Sequence, residues 1–236
     1  WSLRLDGRPE GRGEHAVAYD TARKQLLVFG GLGPAFATLP PTTWELGEDW
    51  HRHALPAQPQ IRHLTQLTYD PVRDRALLFS GRHPDSSRHD DFWEWDGVAW
   101  RQLNPPAMAP GRYGGGFTFD TRRGVAVLFG GFRNGSRIDD TWLWDGGTWT
   151  EVFSTSRPPA RERFALAFDS SRGVVVLFGG VDALSQSLGD TWEWDGASWV
   201  DRTPDSGSPS PREDFALAFD PQRGVTVMFG GNSGGP

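Results

Sequence analysis

The sequence predicts an all-β fold of repeated four-stranded antiparallel units, and three observations predict it. The chain aligns with itself at a period of about 50 residues. Each period holds short apolar segments with the two-residue alternation of strands. Turn signals separate those segments, with Asp-Gly between two aromatic segments in copies two to four. A four-stranded repeat of this length predicts a β-propeller, in which each unit is one blade.

The register is set by five arginines, Arg12, Arg62, Arg112, Arg161 and Arg212, at steps of 50, 50, 49 and 51 residues. Each is followed eight residues later by an aspartate: Asp20, Asp70, Asp120, Asp169 and Asp220. Three residues beyond each aspartate comes a second arginine, and nine beyond it a phenylalanine leading into Gly-Gly, or Ser80-Gly81 in the second copy.

Strand a, as in Phe164–Phe168, alternates large with small apolar residues, so one face is buried and the other admits a close neighbour. Asp169 to Gly173 is a turn, because the aspartate caps its own loop and the glycine accepts positive φ. The chain then reverses into strand b, Val174–Phe178. After a b–c loop come strand c, Asp190–Trp194, the Asp195-Gly196 turn, for which the tight primed types are expected, and strand d from Trp199. Asp96-Gly97 and Asp145-Gly146 occupy the same place in copies two and three.

A hydrophobic strand ending in Gly-Gly, an aromatic in strand c and a Trp opening strand d together resemble the kelch family, over the whole chain. The resemblance implies a ring of blades with strand a lining a central channel and strand d outside. It implies no particular activity, because kelch propellers serve as binding scaffolds, as enzymes and as adaptor domains.

The expectation is a single domain, 1–236, with repeats near 12–61, 62–111, 112–160, 161–211 and 212–236. Four copies are complete, and the fifth stops after strand b. Residues 1–5 match a lone strand d, so either five blades close with that strand completing the fifth, or the chain is a fragment of a six- or seven-bladed ring. A missing strand leaves unpaired edges that invite self-association.

Composition narrows the function. A formal net charge of -6 provides no field for a nucleic acid. There is no cysteine, which removes disulfides, thiolate metal sites, cysteine nucleophiles and the Tyr–Cys chemistry of a galactose-oxidase-like enzyme. No apolar run approaches the ~20 residues that span a bilayer. Asp-Gly-rich repeats without cysteine look like those of bacterial extracytoplasmic kelch proteins, so an extracellular or cell-envelope location is expected, with the cytoplasm as the alternative.

Positions identical in every blade serve the blade, whereas a site breaks the symmetry. Eleven of the twelve tryptophans recur at fixed places in strands c and d and are assigned to packing between blades. The strand-opening arginines are expected to pair with Asp91, Asp140 and Asp190. Thr42 stands at that place in the first copy and strand c is absent from the fifth, which leaves Arg12 and Arg212 without this partner.

The variable residues opening strand a and the variable b–c loops are therefore the candidate ligand-binding set: Arg12, Glu14, His15, His63, Tyr113, Arg163, Arg212, Asp214, His83, His89 and Arg133. Metal binding by His15, His63, His83 and His89 near Asp85 and Asp90 lacks ligand spacing, so solvated loop histidines are the preferred reading and no cofactor is expected. The expected function is non-catalytic recognition of a glycan or protein ligand through the d–a and b–c loop face. The alternatives are a cofactor-free sugar enzyme, similar to kelch-type sialate mutarotases and using Arg12, Glu14, His15, Glu213 and Asp214, or an assembly role through unpaired edges.

Overall fold

The computed structural model describes residues 7–233, so the proposed closing strand 1–5 lies outside the described residues. The fold is all-β, with four four-stranded antiparallel blades of propeller type and a two-stranded fifth sheet. The blades are β1 (Ala16–Asp20) to β4 (Trp50–His53), through β2 (Gln25–Phe29) and β3 (Thr43–Leu46); and β5 (Gln66–Asp70) to β8 (Trp100–Leu103), through β6 (Arg75–Phe79) and β7 (Phe92–Trp95). The next are β9 (Gly116–Asp120) to β12 (Trp149–Val152), through β10 (Val125–Arg133) and β11 (Ser136–Trp144); and β13 (Ala165–Asp169) to β16 (Trp199–Asp201), through β14 (Val174–Phe178) and β15 (Thr191–Trp194). The half-blade is β17 (Glu213–Asp220) with β18 (Val225–Asn232). In each full sheet the strands follow chain order, as a meander does.

The chain forms two compact units. One runs to Asn104 and takes in Gly111–Tyr113, and the other comprises Pro105–Pro110 and the chain from Gly114 onward. In the first, the small residues Ala16 and Ala18 of β1, with Leu27 and Phe29 of β2, face Leu67, Tyr69, Leu78, Trp95 and Trp100 of the second blade. Phe29 meets Trp100 edge-on with centroids 5.4 Å apart. In the second, Val127 and Phe129 face Phe164, Leu177, Trp194 and Trp199, with Phe129 and Trp199 5.0 Å apart. The alanines of strand a thus admit the aromatics of the following blade, and the tryptophans are interblade packing. Each such ring is worth about 2–3 kcal/mol of burial.

Hydroxyls complete these contacts. Trp100 Nε1 donates to Thr43 Oγ1 and Trp199 Nε1 to Thr141 Oγ1, at 2.7 and 3.0 Å, each across one blade boundary. Trp95 Nε1 donates to Glu45 Oε1 at 2.8 Å, but Trp194 Nε1, which faces Leu143 in the same cluster, is buried with no acceptor.

The a–b turn is built as its sequence requires. Asp20 Oδ1 accepts the N–H groups of Ala22 and Arg23, and the aspartates at 70, 120, 169 and 220 repeat this. The following arginine extends to the next blade, a role its position in the sequence did not disclose. Arg23 binds Asp74 through two bonds of 2.6 and 2.9 Å and donates to the Asp96 carbonyl, while Arg123 donates to the Gly173 and Asp195 carbonyls. Each arginine lies where a side chain on Gly97 or Gly196 would stand. In these c–d turns only the glycine has positive φ, whereas type I′ needs it at two positions. The Asp96 carboxylate accepts the N–H groups of Val98 and Ala99, as Asp145 and Asp195 do for their own turns.

The Gly-Gly after strand b also has a physical cause. The Gly31 N–H donates to the Arg62 carbonyl of the next blade at 2.9 Å, and a Cβ on Gly30 would stand 2.5 Å from that oxygen. In the second copy Ser80 adopts the same positive φ and its hydroxyl accepts the Arg112 N–H.

One expectation is corrected. The b–c segment 132–137 of the third blade is a hairpin rather than a loop, with Arg133 paired to Ser136. Asn134 and Gly135 both have positive φ, which makes a type I′ turn whose twist suits paired strands.

Candidate functional site

In the first unit, the blade-opening arginine is a structural group. Arg62 is fully buried; its Nη1 and Nη2 donate to Asp91 Oδ1 and Oδ2 at 2.6 and 2.8 Å, and Nη1 also reaches the Ser80 carbonyl. Asp91 in turn accepts Trp93 Nε1. Burial pulls the Asp91 carboxyl upward, but the bonds and charge of Arg62 outweigh it and hold it below the usual carboxylate range. Arg161 and Asp190 repeat the arrangement in the second unit. Arg12 is absorbed differently. Its side chain donates to the Gly30 carbonyl and to Glu10, while Thr42 accepts Trp44 Nε1. Arg212 donates to the Gly230 carbonyl and to Ser210. Both arginines therefore serve the backbone of their own blade.

The second residue after each blade-opening arginine has positive φ: Glu14, Leu64, Gly114, Arg163 and Asp214. Only one of these is glycine, and the others hold a conformation that costs about 1–3 kcal/mol each. A backbone ladder retains them. The Leu64 N–H donates to the Glu14 carbonyl at 2.9 Å in the first unit, and the Arg163 N–H to Gly114 and Asp214 N–H to Arg163 at 2.8 and 3.0 Å in the second. The ladder fixes where the side chains of Glu14, Arg163 and Asp214 start.

In the first unit Glu14 Oε2 lies 2.5 Å from His63 Nδ1, and His63 is almost fully buried. The backbone of His63 pairs in both directions with Arg82, whose guanidinium lies over the Tyr113 ring at 5.3 Å. Arg82 Nη2 donates to Ser86 Oγ, while Nε is buried with no partner. The His83 and His89 rings meet edge-on at 5.5 Å; His83 pairs with Asp85, and His89 Nε2 faces the Ile61 carbonyl at 3.0 Å. Burial is the largest cause that keeps the His89 imidazole below its ordinary pKa. His15 is exposed at the start of β1.

In the second unit Arg163 Nη1 lies 3.3 Å from Asp214 and 3.6 Å from Glu213. Glu162 is buried beside Arg137 at 3.0 Å. Burial pushes the Glu162 carboxyl above its usual range, with Arg137 opposing. Arg133 sits beside the β10–β11 hairpin turn.

The structure thus brings together Glu14 with His63 and Arg163 with Asp214 from the candidate set. It sets Tyr113 beneath Arg82, and it holds Arg12, Arg212 and His89 against the Gly30, Gly230 and Ile61 carbonyls. Arg82, Arg137 and Glu162 lie beside these residues without having been chosen for the candidate set. The alternating signs of the loop arginines and the strand-a carboxylates were the signal available. Among the described residues no three His, Asp or Glu side chains converge as metal ligands.

Blade order, strand register and loop chemistry define a β-propeller-type protein with a charged, strained loop face on each unit. No family model and no curated protein matches the chain.

Proposed function

We propose that the chain is a non-catalytic kelch-type binding module that recognises a glycan or protein ligand through the d–a and b–c loop face of its blades. The observation that carries this reading is the set of charged residues at positive φ on the backbone ladder of each unit, Glu14 in one and Arg163 and Asp214 in the other. Strain retained by surrounding hydrogen bonds favours a site, because folding alone would be better served by glycine. Arg82 over Tyr113, with His63 and Glu14 beside it, offers a planar cation, a ring and a carboxylate, which suits hydroxyls or peptide groups. An envelope or extracellular location accords with the cysteine-free repeats. Screening the protein on glycan and peptide arrays tests the reading. Binding that is lost in Glu14→Ala with Arg82→Ala supports it, and undiminished binding by the double variant refutes the assignment.

A second reading, a cofactor-free sugar-modifying enzyme, is favoured by Glu162, a buried carboxyl with a raised pKa beside Arg137. NMR of reducing sugars would show anomer exchange accelerated by the protein and not by Glu162→Gln.

A further inference from the structure

The b–c loops of three blades share one backbone frame. Leu32 pairs with Thr38, Arg82 with Arg88 and Val181 with Ser187. Inside each pair a second bond closes the tip, from the Gly33, His83 and Asp182 N–H groups to the Ala37, Ser87 and Gln186 carbonyls. The fourth residue after the start of each frame has positive φ: Phe36, Ser86 and Ser185. A bulky residue is an outlier in that conformation, and two copies build the same turn with serine. Phe36 is also 79% exposed, so its ring adds little to the core.

Phe36 forms one wall of a chiefly apolar cavity of about 150 Å³, together with Gly13, Glu14, the buried Leu32, Gly33 and Ala35. Glu14, Ala35 and Phe36 all hold positive φ without being glycine. Strain of this kind persists only where surrounding bonds retain it, and it gathers at ligand clamps. The retaining bonds here are the closed loop tip, the pairing of Gly13 with Leu32 in both directions, and the Leu64 N–H donated to the Glu14 carbonyl. The backbone that shapes the cavity therefore also fixes Glu14 at its rim. The Glu14 side chain is 26% exposed there, while its carboxylate meets His63.

We propose that this cavity receives one apolar side chain of a protein ligand, of leucine to phenylalanine size, whose neighbouring lysine or arginine reaches the Glu14 carboxylate. The inference rests on the loop-face reading above and narrows its ligand to a peptide. A space of this order holds a benzene-sized group. The exposed Phe36 ring adds an aromatic contact to that group. A cation complements Glu14 on a chain of formal net charge -6. A glycan hydroxyl in a chiefly apolar cavity would lose its partners in water without gaining others.

The test is fluorescence anisotropy of three fluorescein-labelled hexapeptides titrated with the full chain. The peptides carry Phe-Lys, Phe-Glu or Ser-Lys between Gly-Ser flanks, and maltotetraose is the unlabelled competitor. The Phe-Lys peptide is expected to bind about tenfold or more tighter than either of the others, and maltotetraose should not displace it. Phe36→Ser installs the residue of the other two frames, so the melting temperature should be retained while Phe-Lys binding falls to the level of Ser-Lys. Glu14→Gln should erase the preference for Phe-Lys over Phe-Glu. The proposal is overturned if the Phe-Lys peptide shows no saturable binding, if Ser-Lys matches it, if maltotetraose displaces it, or if Phe36→Ser binds as the natural chain does. Array ligands that depend on Arg82 and not on Phe36 would overturn the cavity and leave the loop face its role. Array ligands indifferent to both Glu14 and Arg82 would remove the loop-face reading itself.

Discussion

Arg161 and Asp190 meet through two bonds of 2.7 Å, with the guanidinium fully buried and the carboxylate also accepting Trp192 Nε1. Removing one partner leaves an uncompensated buried charge, so Asp190→Ala is expected to cost about 3–5 kcal/mol in urea denaturation. Glu10, the 59%-exposed partner of Arg12, is the contrast: Glu10→Ala should cost less than about 1 kcal/mol. Equal costs would show that the two arginines are held alike.

The same pair sets a pH dependence. Burial raises the Asp190 carboxyl, but the Arg161 bonds and charge prevail and lower it. Its contribution is therefore present above the ordinary carboxylate value of about 3.9 and lost as pH falls below it. Glu162 has the opposite sign. Its raised folded value makes stability fall as pH climbs from the ordinary value through the folded one. Denaturation midpoints between pH 3 and 7 should show Asp190→Asn flattening the acid limb, and Glu162→Gln removing a decline on the neutral side.

Trp194 Nε1 lacks the acceptor that Glu45 gives Trp95, because Leu143 occupies the corresponding strand-c position. Leu143→Glu should supply it and raise stability by about 1 kcal/mol, since a buried unpaired donor costs about 1–3 kcal/mol. A lower urea midpoint would mean that the leucine's packing outweighs the hydrogen bond.

Gly196 has φ of 101°, and a Cβ there would overlap the Arg123 guanidinium. Gly196→Ala is expected to cost about 1–3 kcal/mol from backbone strain and displacement of the arginine. Adding Arg123→Ala should recover the steric part, so a double variant no better than additive would contradict the bridging role.

The repeat was legible because its determinants are local and in register. Asp20, Gly30 and the Arg62–Asp91 pair act within one blade or at its seam, at spacings that the sequence repeats. The Asn134-Gly135 hairpin carried its own turn signal, but the adjoining Gly130-Gly131 blurred where strand b ends, and the segment read as a loop. The ladders, from Glu14 to Leu64 in one unit and from Gly114 through Arg163 to Asp214 in the other, were not legible, since residue type at those positions does not announce positive φ. Arg82 over Tyr113 was hidden for another reason: it depends on how a b–c loop lies against the opening of the next repeat.

The loop face itself is tested most directly by backbone amide NMR of the full chain, titrated with a ligand selected on the arrays. The account predicts that the largest shift changes fall on Glu14, His63, Leu64, Arg82 and Tyr113, or on Glu162, Arg163 and Asp214, and that they shrink in Arg82→Ala or Arg163→Ala respectively. Shifts confined to the outer strands β4, β8, β12 and β16, unaffected by either variant, would contradict it.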